Sequence, residues 1–120
     1  MAIPSRVLSS GNSPLSTTSI CGDGATGLTA TGSAASDALQ LSACYNSIIT
    51  AASGTGVKLP PTEAGAMVAI YNGGAQTLTV YPFNTSSTIN AGAASLSVTA
   101  TTRVLFVATS ATTWVSIAGA

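Results

Sequence analysis

Ala66 to Pro82 reads AMVAIYNGGAQTLTVYP. Two apolar runs, AMVAIY and QTLTVYP, flank NGGA at Asn72–Ala75. Asn and Gly tolerate positive φ, which tight hairpin turns demand. Val68, Ile70, Val80 and Tyr81 suit a pleated, half-buried surface. The stretch therefore predicts a β-hairpin, with Tyr71 and Tyr81 placed to pair across it.

The sequence on either side continues the β signal. Downstream, SLSVTA alternates Leu96 and Val98 with Ser and Thr. RVLFVAT is a nearly continuous apolar run, as expected for a central strand covered on both faces, and TWVSIA follows it. Turn residues at Asn84–Ser87, Ala91–Ala94 and Ser110–Thr112 separate these strands. Upstream, NSIITAA, the glycine turn SGTG and VKLPP read as strand, turn, short strand and a stop at Pro60-Pro61. ALQLSACY places Leu39, Leu41, Ala43 and Tyr45 on one side of a strand. A short helix over 36–45, capped by Ser36 or Asp37, is the alternative there. No internal repeat is visible. The expectation is an all-β fold, an antiparallel β-sandwich or barrel of jelly-roll type. It occupies residues 36–120. Residues 1–35, dominated by Ser, Thr, Gly and Ala, form an extended N-terminal arm. The arm's isolated apolar residues, Ile3, Val7, Leu8, Leu15, Ile20 and Leu28, are spaced to dock one at a time on a partner.

Charge narrows the function classes. Of 120 residues only 5% are charged, against a usual value of about 25%. The whole set is Arg6, Asp23, Asp37, Lys58, Glu63 and Arg103, and the formal net charge is zero. Three scattered cations cannot build the basic stripe that nucleic acid requires, nor a polybasic membrane-binding segment. Apolar runs such as Val104–Ala108 are too short to span a bilayer as helices. The first sixteen residues lack the apolar core of a secretory signal, so synthesis and folding in a cytosol are expected. In that compartment Cys21 and Cys44 read as free thiols, with a disulfide between them as the alternative that the count allows.

Candidate chemical motifs lack their context. Gly22-x-Gly24-x-x-Gly27 matches the dinucleotide fingerprint, but LTATGSAAS after it makes no firm helix. No acid lies between Asp37 and Glu63 to hold a ribose. Asp23 between glycines reads as a turn residue, since a calcium site takes six to eight oxygens. The chain has no His, and neither Glu63 nor a Ser–Lys58 arrangement has an evident partner. Lys58 alternates with Val57 and Leu59, so it points outward. No catalytic residue, cofactor or metal site is expected, and the chain reads as a non-enzyme. Among the aromatic residues a sugar-binding platform is one reading; core or interface anchoring is the commoner role. Phe106 reads as core and Trp114 as an oligomer contact. Asn84-Thr85-Ser86 matches a glycosylation sequon, without a secretory signal to give it meaning.

From Asn46 the chain reads NSIITAASGTGVKLPPTEAGAMVAIYNGGAQTLTVYP, then TIN, then strands ending in TTWVSI. In its GTGVKLP and YNGGAQTLTVYP segments and its late Trp, it resembles small virion proteins of tailed bacteriophages over residues 36–118. It is also similar to β-domains of tail spikes and fibres. The resemblance implies a capsid decoration, or cement, protein on the exterior of the virion. Such a protein would bind the major capsid protein, often as a homotrimer, and brace neighbouring subunits. A structural or receptor-binding module of a tail is the alternative.

Overall fold

The computed structural model describes residues 9–11, 13–15 and 22–118. Ten strands lie among them: β1 Gly24–Thr29, β2 Leu39–Gln40, β3 Tyr45–Thr50, β4 Gly56–Lys58, β5 Met67–Asn72, β6 Leu78–Tyr81, β7 Thr88–Ile89, β8 Leu96–Val98, β9 Arg103–Ala108 and β10 Thr113–Ala118. The all-β expectation holds, but the antiparallel sandwich or barrel of hairpins does not. A six-stranded sheet runs β1-β3-β5-β9-β10-β7 and a four-stranded sheet runs β2-β4-β6-β8. From β1 to β6 the chain alternates between the two sheets. Within each sheet successive passes pair in parallel, β1 with β3 and β3 with β5, and β2 with β4 and β4 with β6. This is a short β-solenoid of three coils. Its last strands reverse direction: β8 runs antiparallel to β6, and β9 antiparallel to both β5 and β10.

Asn72–Ala75 is accordingly a corner between sheets rather than a hairpin turn. Neither Gly73 nor Gly74 has positive φ. What the corner needs is close approach. Gly73 N–H donates to Ile48 O (2.7 Å), in the coil beneath. A Cβ on Gly74 would lie 2.8 Å from the Ala51 backbone nitrogen. Asn72 clamps the corner from inside. Its Nδ2 donates to Gln76 O (2.8 Å) and Val98 O (2.9 Å), and its Oδ1 accepts from Gly74 N (3.1 Å). Tyr71 and Tyr81 therefore cannot pair, because they stand on different sheets.

Strand alternation fills the space between the sheets. Ile48, Val68, Ile70, Val104 and Phe106 from the larger sheet meet Val57, Leu78, Val80 and Val98 from the smaller one, all buried. Such burial is the main favourable term in folding. Leu39 and Tyr45, placed on one strand face by the sequence pattern, belong to different sheets, and no helix forms over 36–45. Before residue 36, β1 pairs with β3, Leu28 packs against the core and Ala30 is buried within it.

Candidate functional site

Each sheet has one inward and one outward face, and the two outward faces differ in chemistry. The smaller sheet presents Gln40, Lys58, Thr79, Tyr81 and Ser97. The larger presents apolar rows. Tyr45, Ala69, Leu105 and Ile117 lie in register across β3, β5, β9 and β10, and Met67, Val107 and Val115 form the next row. Ile49 and Ile117 are each 56% exposed, Met67 54% and Tyr45 41%. A shallow hollow of about 280 Å³ lies between Tyr45, Arg103, Leu105 and Ile117. Arg103 is the single charge at the outward positions of these four strands, and its guanidinium lies 4.2 Å from the centroid of the Tyr71 ring. That cation–π contact covers the ring while the guanidinium keeps its access to water.

This exposed apolar face is the candidate interaction surface of the described residues. RVLFVAT reads as a strand covered on both faces. In the folded chain Phe106 and Val104 are covered, while Leu105 and Val107 on the other side are only half-buried. No family model, curated protein or solved structure matches this chain.

The residues singled out by sequence take varied positions. Trp114 is not an available contact: it is fully buried, and its Nε1 donates to Thr62 Oγ1 (3.0 Å), which also pairs with Ser87 Oγ (2.8 Å). Alternation in β10 turns Trp114 inward and leaves Val115 and Ile117 outward. Leu28 is half-buried against the core, and Leu15 is 78% exposed. Ile3, Val7, Leu8, Ile20 and Cys21 lie outside the described residues. Cys44 is a free, exposed thiol.

The glycine motif has a structural role. Gly24 and Gly27 belong to the edge strand β1, which continues to Thr29 where a nucleotide loop would open a helix. Asp23 ties this edge to the next coil: its Oδ1 accepts from Cys44 N (3.0 Å) and its carbonyl from Tyr45 N (3.0 Å). Asp37 closes the following loop by accepting from Ser33 N (3.0 Å) and Ala34 N (2.9 Å). Those bonds, Ala34 first and Ser33 second, hold its carboxyl below the ordinary Asp value. Phe106 is core, and Lys58 is outward beside buried Val57 and Leu59, as the alternation predicts.

Proposed function

We propose that the protein is a capsid decoration, or cement, protein of a tailed bacteriophage. In this reading it sits on the outside of the head as a homo-oligomer, with a trimer favoured. There it braces neighbouring major capsid protein subunits and performs no chemistry. The observation that carries the reading is the outward face of the six-stranded sheet, where Tyr45, Met67, Val115 and Ile117 wait uncovered around one cation. Symmetric assembly would repeat that face around an axis and bury it against copies or capsid. The sequence resemblance over residues 36–118 supports the same reading. With so few ions at the face, binding would depend weakly on salt.

The test is to mix purified protein with undecorated heads. Val115→Lys combined with Ile117→Lys, both at exposed positions, should leave folding intact and weaken decoration by at least about tenfold. Undiminished binding by the double variant would remove this face from the interaction. A second reading, a module of a tail fibre or spike, is favoured by a separate hollow beside Tyr81 and Phe83. Copy number separates the two: hundreds per particle on a head, a few to a few tens on a tail.

A further inference from the structure

At one end of the four-stranded sheet lies a hollow of about 670 Å³. This is within the range of small-molecule sites, about 300–1,000 Å³. Lys58 and Tyr81 are register partners on the outward face of β4 and β6, and Phe83 follows on the same side. Ser36, Asn84 and Thr88 stand at the walls. The Tyr81 ring lies down over Gly56, where a Cβ would come within 2.7 Å of ring Cε2. Only glycine permits that approach, so Gly56 makes room for the Tyr81 ring beside the site.

The polar groups here are uncommitted. Among the described residues Lys58 Nζ makes neither a hydrogen bond nor an ion pair. Asp37, next to Ser36 in the chain, accepts two backbone N–H groups at its Oδ1. Asn84 Oδ1 accepts from Ser86 N (3.0 Å), which orients its amide, and Nδ2 has no partner among the described residues.

We infer that this hollow binds a pyranose carrying a carboxylate, a uronic-acid unit of a glycan. The polarised C–H face of the sugar meets the negative faces of Tyr81 and Phe83. The ammonium of Lys58 takes the carboxylate in a charge-assisted hydrogen bond. Ser36, Asn84 and Thr88 supply both donors and acceptors for ring hydroxyls. The site does not depend on whether the protein sits on a head or a tail, because it faces away from the apolar sheet.

Titration calorimetry of the full chain with trigalacturonate and with its carboxyl-reduced counterpart tests the site. The acidic sugar should bind about tenfold more tightly, as a charged hydrogen bond allows. Lys58→Met keeps the apolar stem and should make the two sugars equal. Phe83→Ala should weaken both, with the melting temperature measured alongside to confirm folding. Three results overturn the inference: no binding of either sugar at millimolar concentration, an acidic preference that survives Lys58→Met, or unchanged affinity in folded Phe83→Ala.

Discussion

Replacing Asn72 by Ala separates the corner from the hairpin that its sequence suggests. At an exposed hairpin tip the change would cost well under about 1 kcal/mol, as for most surface substitutions. In the corner Asn72 is fully buried and makes three side-chain hydrogen bonds. Gln76 is exposed and can turn its carbonyl to water, and Val98 keeps Leu78 as its ladder partner, but Gly74 N–H would be left buried without a partner. That orphan costs about 1–3 kcal/mol, and each of the two lost bonds to Gln76 O and Val98 O about 0.5–1.5 kcal/mol. With the small void left behind, the expected loss is about 3–5 kcal/mol, a large share of the roughly 5–15 kcal/mol that holds a domain together. The melting temperature should fall by about 15 °C. Asn46 provides the control. It is as buried, but among the described residues its Oδ1 has no partner, and its Nδ2 donates to Ala43 O (2.8 Å) and, at longer range, to Ala69 O (3.4 Å). Asn46→Ala removes an unsatisfied atom together with those bonds and should cost only about 1–2 kcal/mol. Urea unfolding with a constant slope measures both. Asn72→Ala within about 1 kcal/mol of the parent protein, or Asn46→Ala costing more than Asn72→Ala, would refute the clamp.

Other consequences are independent of that pair. Gly74→Ala must push the corner off Ala51 and should cost about 1–3 kcal/mol by thermal denaturation, whereas exposed Ala75→Ser should be neutral. Because the folded state lowers the Asp37 pKa, its contribution is complete above the unfolded value near 3.8 and fades as pH falls through the lower folded value. Acid titration of unfolding should therefore show a slope below pH 3.8 that Asp37→Ala lessens. Removing residues 1–21 should leave the β-domain folded while abolishing decoration, if the arm carries anchors. Equal decoration by the shortened chain would reject the arm. A cut through Leu28 cannot test this, since it also strips β1 from its sheet.

The strands were legible because alternation is local. Burial alternates along β5, β6 and β9 as their sequences suggest. Which strand pairs with which was not legible, because Asn-Gly-Gly suits both a hairpin turn and a corner of close approach. The solenoid was hidden by uneven coils: Tyr45 follows its partner Gly24 by 21 residues, and Ala69 follows Tyr45 by 24. In the smaller sheet Val57 follows Leu39 by 18 and Val80 follows Val57 by 23. No sequence period survives such variation. Trp114 was misread for a related reason. Its size suits either core or interface, and only the phase of β10 decides between them. The same phase, read from Trp114 inward, would have put Val115 and Ile117 on the outward face.

The coil stack also bears on how copies would meet. A parallel stack grows by adding strands at its ends, and solenoids need atypical ends to stop that growth. Here β8 and β9 reverse direction beyond the third coil, and the sheet edges that follow are short: two residues in β7 and three in β8. At the other end β1 breaks register between Ala25 and Leu28 and again before Thr29, with Gly27 at φ 70°. Bulged and short edges discourage strand addition. End-to-end growth is thus disfavoured at both ends, while the apolar face of the larger sheet carries no such guard beyond Arg103. Association through that face, side chain against side chain, follows from the fold more readily than extension of its sheets. Charge at Val115 and Ile117 should accordingly disrupt assembly, whereas charge placed at Thr26 on the β1 edge should not.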